Sequence, residues 1–253
     1  MNVATDPRLR AIAAAHPYPL VFATISGAHL YGFPSPDSDF DLRGVHVLPL
    51  AEVVGLVRGR ETIERMDQQS GLDLDLVTHD VGKFVRLMGK PNGYVLEQLL
   101  SPLVVATSPW HDELKALGRR SVTRLHVRHY LGFAKTQWDL GTKESPPRVK
   151  PLCYVYRVLL TGIHLLRSGE LQANLRVLND AARLPHVDDL IARKTGGAEQ
   201  GVLAASELAF HEREFQRLLA LLQAAPATSP LPEVLPTAVA RDLHDFLVRV
   251  RLG

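Results

Sequence analysis

The sequence predicts an α/β (α+β) protein, with a small mixed β-sheet core followed by an all-helical C-terminal region. The chain has 253 residues and is 46% hydrophobic, which is enough for one large domain or two modest ones. Short runs of strand-forming residues alternate with helical segments up to about residue 110, and only helical periods follow. We therefore expect two domains, residues 1–110 and residues 111–253.

Strands are predicted wherever β-branched runs or polar–apolar alternation occur in the first part. They cover residues 21–26, 39–47, 61–68 and 72–77, with helices expected at 81–88 and 94–100. In the second part, helices are expected at 122–140, 151–167, 206–223 and 237–250, and a proline-rich linker at 224–236.

Composition excludes several classes of protein. With Cys153 as its single cysteine, the chain can form no internal disulfide and no thiolate zinc cluster. The N-terminus does not resemble a secretory signal, and no run of about 18 uninterrupted apolar residues is present. We therefore expect a cytoplasmic protein without a membrane partner.

The net charge of +2 is the sum of two unlike regions. Residues 1–110 carry 9 basic and 12 acidic residues, whereas residues 111–253 carry 20 and 15. Cations are concentrated between Arg119 and Lys150. This stretch is either a solvated helix face or a surface for a polyanion.

Four aspartates are the strongest candidates for a reactive site. Asp39 and Asp41 share one face of a predicted strand, about 6–7 Å apart between Cα atoms, and Asp73 and Asp75 share a face of another. Such carboxylates can hold a hard cation such as Mg²⁺, which prefers oxygen ligands. They can equally be surface aspartates paired with arginines such as Arg43.

A glycine turn directly precedes this strand. Gly27 and Gly32 bracket the residues Ala28-His29-Leu30-Tyr31, where backbone N–H groups could meet an anion. The pattern is neither a Walker loop nor a dinucleotide-binding GxGxxG, and a tight connection between two elements is the simpler interpretation.

The string GAHLYGFPSPDSDFDLRGV, residues 27–45, resembles the signature of polymerase-beta-type nucleotidyltransferases. It is most similar to the RNA-ligase-associated bacterial and phage subfamily, which carries GSxxYG and then PDSDxDLRGV. Further matches are Lys83-Phe84, Pro91-Asn92-Gly93 and Leu96-Glu97, and Lys150 followed seven residues later by Arg157. The resemblance covers about residues 20–170.

The resemblance implies a nucleotidyltransferase that moves a nucleoside monophosphate from a nucleoside triphosphate such as ATP to a hydroxyl and releases pyrophosphate. It implies that Asp39, Asp41 and Asp75 are catalytic and bind two Mg²⁺ ions, with Mn²⁺ as the other candidate ion and Asp73 as the alternative third carboxylate. It also implies a nucleotide site, formed by Gly27, Ala28, His29, Ser38, Lys150 and Arg157. Tyr154 lies on the same predicted helix face as Lys150 and Arg157, where it would either stack on the base or pack at the rim of the core.

Ala28 departs from the family, which has a serine there, so His29 or backbone amides would have to serve instead. The acceptor stays open. An RNA end is favoured by the subfamily and by basic residues that would contact it: Arg119, Arg120, Arg124 and Arg128. A protein or small-molecule acceptor is the nearest alternative, and a nucleotide-sensing module without transfer is the second class of function.

Overall fold

The computed structural model describes residues 3–67, 71–143, 147–196 and 203–253. The chain divides into two compact units. The first unit comprises residues 1–30, 39–122 and 235–253, and the second comprises residues 31–38 and 123–234. The sequence predicts one division after residue 110, whereas each of these units is assembled from separate stretches of the chain.

A five-stranded mixed sheet forms the centre of the first unit. Its strands are β1 (Leu20–Ile25), β2 (Phe40–His46), β3 (Thr62–Asp67), β4 (Leu74–Asp80) and β5 (Val104–Thr107). They lie in the order β3-β4-β2-β1-β5. Only β2 and β4 are parallel, and their register pairs Asp41 with Asp75.

Twelve helices accompany the sheet in the described residues: α1 (Pro7–Ala14), α2 (Gly27–Tyr31), α3 (Leu50–Val54), α4 (Val81–Met88), α5 (Gly93–Leu99), α6 (Pro109–Arg120), α7 (Val127–Thr142), α8 (Val149–Ser168), α9 (Leu175–Ala182), α10 (Pro185–Thr195), α11 (Ala205–Ala224) and α12 (Thr237–Leu252). Short 3₁₀ turns lie at Val3–Thr5, Arg124–His126 and Ala225–Thr228.

Alternation along the strands gives the sheet two different faces. Leu42 and Leu74 lie in one hydrophobic cluster with Leu9 of α1. Phe22 points the other way, where its ring packs against Phe84 of α4. Asp41, Arg43 and Asp75 alternate with the leucines and therefore lie on the face that α4 and α5 cover.

The second unit is built around α8. Most of this helix is buried, including Cys153, and α7, α9, α10 and α11 pack against it. Burial raises the pKa of the Cys153 thiol to about 12, so this cysteine is a core residue rather than a nucleophile.

Helix α8 is also the one described helix long and apolar enough to cross a membrane, with a mean hydropathy of 1.2. Because 78% of that window is buried inside the protein, the hydropathy matches that of a core helix.

The structure confirms the predicted α/β class, a small mixed sheet followed by many helices. No described residue after β5 forms a strand. Three details differ. Strand β5 and helices α1, α3, α6, α9 and α10 were not predicted, the glycine turn is the short helix α2, and Asp39 lies just before β2. The predicted strand over 61–68 ends at Asp67, and residue 68 lies outside the described residues.

Candidate active site

Asp41 and Asp75 face each other across the parallel pair β2–β4, and Arg43 joins them. The Arg43 Nη2 atom donates to Asp41 Oδ1 at 2.5 Å and to Asp75 Oδ2 at 2.7 Å. Its Nε atom donates to the Tyr94 hydroxyl at 3.0 Å. The Arg43 side chain is 6% exposed, whereas those of Asp41 and Asp75 are 19% and 29% exposed. The single positive charge of a buried guanidinium thus offsets part of the negative charge of two carboxylates that solvent still reaches.

Gly27 lies directly against the Asp41 carboxylate. A Cβ atom at Gly27 would stand 1.7 Å from Asp41 Oδ2, and the φ angle of +58° favours glycine. The Ser26 N–H donates to the Asp41 carbonyl at 2.9 Å, which fixes the approach of the two segments. Glycine is therefore required at this position both for space and for backbone conformation.

The residues after Gly27 do not replace the missing serine with another hydroxyl. Ala28 is buried, and the His29 ring stacks on Phe40 with centroids 4.8 Å apart. The Ser26 hydroxyl is also buried and has no hydrogen-bond partner among the described residues. The start of α2 thus offers backbone amides but no hydroxyl at position 28, so the roles expected of Ala28 and His29 stay predictions.

The structure distinguishes Asp75 from Asp73 by position. Asp75 lies in β4 opposite Asp41, whereas Asp73 precedes the strand, is exposed, and accepts the Phe40 N–H through its carbonyl at 2.7 Å. Asp39 is exposed and lies two residues before Asp41. The expected pairing of aspartates with Arg43, the alternative to a metal site, is present for Asp41 and Asp75.

The donor chemistry at this site fits a hard divalent cation. Within the described ranges, no group of three or more His, Cys, Asp or Glu side chains is gathered for metal binding. Two partly exposed carboxylates nevertheless face each other, and a third, Asp39, is two residues away along the chain. Carboxylate oxygens are the ligands that Mg²⁺ takes in proteins.

The other predicted nucleotide ligands belong to the second unit. Lys150 is exposed at the start of α8, and Tyr154 is half-buried with its ring edge-on to Tyr31 at 5.8 Å. Arg157 is fully buried, and its guanidinium carbon lies 3.8 Å from the Tyr31 ring centroid. In this structure Arg157 stacks on an aromatic ring, and its contact with triphosphate stays a prediction.

Residues 31–38 of the signature are held by the second unit. Arg176 Nε donates to the Gly32 carbonyl at 2.6 Å, and Lys194 Nζ donates to Ser35 Oγ at 2.5 Å. Ser38, a predicted nucleotide ligand, uses its Oγ to accept the Ser35 N–H at 2.9 Å. Sequence reasoning missed Arg176 and Lys194, because no local pattern links them to a segment about 150 residues earlier.

The four arginines proposed for an RNA end have different environments. Arg120 pairs with Asp242 at 2.6 Å. Arg124 donates to the carbonyls of Leu231 and Ser229 at 2.8 and 2.9 Å. Arg119 and Arg128 are exposed. Arg124 therefore has a clear structural role, in anchoring the segment before α12.

The sheet, the Gly27 turn and the facing carboxylates are features that the resemblance to polymerase-beta-type nucleotidyltransferases predicts. The sequence profile of the RlaP family, described as "RNA repair pathway DNA polymerase beta family", matches residues 1–249. The chain therefore belongs to this family, and the resemblance found in the sequence is confirmed.

Two curated relatives are similar to this chain. An uncharacterized protein of Methanocaldococcus jannaschii is 34% identical over 154 residues, which are 61% of this chain, and the match spans 63% of the relative's length. The uncharacterized protein YcgL of Bacillus subtilis is 26% identical over 221 residues, covering 83% of this chain and 84% of the relative.

Proposed function

We propose that this protein is a Mg²⁺-dependent nucleotidyltransferase that transfers a nucleoside monophosphate from a nucleoside triphosphate to a hydroxyl of an RNA end. The observation that carries the proposal is the placement of Asp41 and Asp75 opposite each other, with Gly27 against Asp41. Membership of a polymerase-beta family supports the general class of reaction. Its description supports RNA as the acceptor.

Each residue has a chemical task in this reaction. Asp39, Asp41 and Asp75 would hold two divalent ions, which supply positive charge at the α-phosphoryl group when bound. The acceptor oxygen bonds to the α-phosphorus, and the bond from that phosphorus to the bridging oxygen breaks, so its electron pair leaves with pyrophosphate. Asp75 accepts the proton of the hydroxyl. Backbone N–H groups from Gly27 onward donate to the phosphates.

Arg43 keeps the two carboxylates in place before substrate arrives. Without a cation between them, Asp41 and Asp75 would repel each other across neighbouring strands. Arg43 offsets this repulsion and is itself held by the Tyr94 hydroxyl. We infer that this pairing keeps the two carboxylates close together until a divalent ion binds, because electrostatic catalysts work largely through groups that are positioned in advance.

Labelled nucleoside triphosphates test the reaction directly. The protein is incubated with Mg²⁺, an α-³²P-labelled triphosphate and a mixture of total RNA and protein, and the label is followed into each fraction. Label in RNA, lost in Asp41→Ala and retained in the exposed-residue control Asp112→Ala, supports the proposal.

Other outcomes identify the alternatives. Asp41-dependent label in protein or small molecules would replace RNA as the acceptor. Tight binding of triphosphate with no transfer would indicate a nucleotide sensor, which the alanine at position 28 favours because it removes a hydroxyl donor. If the purified protein bound neither triphosphate nor divalent ions, both the transferase and the sensor function would be refuted.

RNA binding is tested with Arg119 and Arg128, which are exposed. Phosphate contacts make affinity fall with salt, so Arg119→Glu and Arg128→Glu should each weaken binding and reduce the salt slope by about 1. Arg213→Glu makes the same charge change at an exposed position of α11 and should have little effect. Equal affinities for all three variants would remove the basic stretch from the proposal.

A further inference from the structure

The connection between α2 and β2, residues 31–38, is a part of the signature with an unusual environment. It joins the Gly27 turn to Asp39, yet by its contacts it belongs to the second unit. Arg176 contacts its backbone at Gly32, and Lys194 contacts its side chain at Ser35. The segment that leads into the first candidate metal ligand is therefore fixed by residues from α9 and α10.

The contact of Lys194 with Ser35 is the more unusual of the two, because Lys194 is a buried charged side chain. It is 1% exposed, Ser35 is 5% exposed, and their Nζ and Oγ atoms are 2.5 Å apart. Burying an ammonium group is unfavourable unless hydrogen bonds offset the lost hydration. An apolar residue would fill the same space without that penalty, so simple packing does not explain the lysine.

Ser35 is joined to Ser38 by hydrogen bonds that close a turn, so a fixed Ser35 also restricts the position of Ser38. The Ser38 N–H donates to the Ser35 carbonyl at 3.0 Å, and the Ser35 N–H donates to Ser38 Oγ at 2.9 Å. The two hydroxyls are 3.1 Å apart. Pro34 and Pro36 flank Ser35 and restrict the backbone further.

The geometry points to Lys194 as a positioning residue for Asp39. Its ammonium group fixes Ser35, the Ser35–Ser38 turn fixes the backbone at Ser38, and Asp39 follows Ser38 directly. This inference rests on the proposed function in one respect, because it takes Asp39 to be a ligand of the divalent ion. Lys194 touches neither substrate nor ion in this role.

A carboxylate on an exposed, unconstrained segment would bind an ion more weakly than one held in place, because ordering it opposes binding. Asp39 is exposed and lies just outside β2, so the strand does not fix it. We expect Lys194→Met to weaken Mn²⁺ binding by about 10-fold, since one ligand of several loses its fixed position.

Mn²⁺ binding by electron paramagnetic resonance, without any triphosphate, tests this inference separately from transfer. The variants are Lys194→Met, Asp39→Ala and the double variant, and Arg193→Met is the control because it removes a neighbouring positive charge from the same helix. Circular dichroism checks the fold of each. Ser35→Ala and Ser38→Ala are milder variants for use if Lys194→Met does not fold.

The double-mutant cycle decides the result. If Lys194 acts through Asp39, its substitution weakens Mn²⁺ binding in the parent chain but has little further effect in Asp39→Ala, and Arg193→Met stays within twofold of the parent. Independent effects that multiply, or unchanged Mn²⁺ affinity in a folded Lys194→Met, would overturn the inference, as would a parent protein that binds no Mn²⁺. Loss of Mn²⁺ binding in Lys194→Met, from a protein without transferase activity, would leave the inference standing and refute the proposed function instead.

Discussion

An arginine–carboxylate cluster lies at each end of the parallel pair β2–β4, and the two clusters differ in exposure. At the start of the strands, Arg43 joins Asp41 and Asp75, whose side chains are 19% and 29% exposed. At the far end, Arg251 pairs with Asp80 at 2.5 Å, and these side chains are 10% and 2% exposed.

The Asp80 cluster has its hydrogen-bonding groups engaged within the protein. Asp80 Oδ1 accepts the Leu48 N–H at 3.2 Å, and Oδ2 accepts the Gly82 N–H at 2.8 Å as well as Arg251. Asp80 thereby caps α4. The same pair of residue types thus serves structure where it is buried and satisfied, and can serve chemistry where solvent and a cation reach it.

Removing the charge of Asp75 should have the largest effect on activity. Asp75→Asn is expected to reduce nucleotidyl transfer about 1,000-fold, since the amide neither accepts the proton nor binds the ions as well. Asp73→Asn is the matched control and should stay within a few-fold of the parent. Initial rates with labelled triphosphate measure both. If Asp73→Asn is the inactive variant, the assignment of the third carboxylate is wrong.

Removing the charge of Asp80 should instead reduce stability. Asp80→Asn leaves Arg251 buried without its ionic partner, and we expect the free energy of unfolding to fall by about 3 kcal/mol. Urea unfolding followed by circular dichroism measures the change. Asp41→Asn should cost less, because its carboxylate is more exposed. If Asp80→Asn and Asp41→Asn lowered the free energy of unfolding equally, the carboxylate at the Asp80 end would be no more important for stability than that of Asp41.

Divalent ions should stabilise the protein by binding at the Asp41–Asp75 end of β2 and β4, and not at the Asp80 end. Arg43→Met leaves Asp41 and Asp75 facing each other without a cation, so millimolar Mn²⁺ at about 100 times its Kd should raise Tm by about 5 °C. The same addition to Arg251→Met should produce no extra shift relative to the parent protein. Calorimetric scans with and without Mn²⁺ compare them. If Arg251→Met gained as much over the parent protein as Arg43→Met does, the added stabilisation would not come from Asp41 and Asp75.

Acid should act at the far end of the strands through His46. Burial lowers the pKa of His46 to about 4, with His16 and His79 adding to the effect and Asp80 opposing it. Because the unfolded chain protonates first, stability is complete above about pH 6.5 and falls as the pH drops toward 4. His46→Asn should reduce this slope by up to about 1.4 kcal/mol per pH unit.

Urea midpoints between pH 4 and pH 7 measure that slope. His244→Asn, at an exposed position of α12, is the control and should leave it unchanged. Because burial also lowers the pKa of His79 and His111 to about 4, the slope should decrease without vanishing. An unchanged slope in His46→Asn would show that His46 binds protons equally in the folded and the unfolded state, so that its pKa is not lowered by folding.

The sheet and the carboxylates were predictable because their signals are local. Alternation around Asp41 and Asp75 gives strands whose polar faces coincide once the two strands pair. Gly27 was located by its position after a strand, although its contact with Asp41 depends on the fold. Helices α9 and α10 and the short strand β5 were missed, because tertiary packing outweighs their weak local periodicity.

The environments of the predicted nucleotide ligands Lys150 and Arg157 could not be predicted from the sequence. Lys150 and Arg157 lie two helical turns apart, so the spacing predicts a common face. It cannot show that Lys150 is exposed while Arg157 is buried against Tyr31. Such burial depends on contacts between segments more than 100 residues apart, as does the link between Lys194 and Ser35.

The path of residues 31–38 determines how the protein can be divided. A fragment ending at residue 122 would contain all five strands, yet it would lack α12 and the helices that hold Gly32 and Ser35. Severing the chain there should therefore yield two polypeptides that are each inactive alone. Activity should return only when both are supplied together, as in fragment complementation.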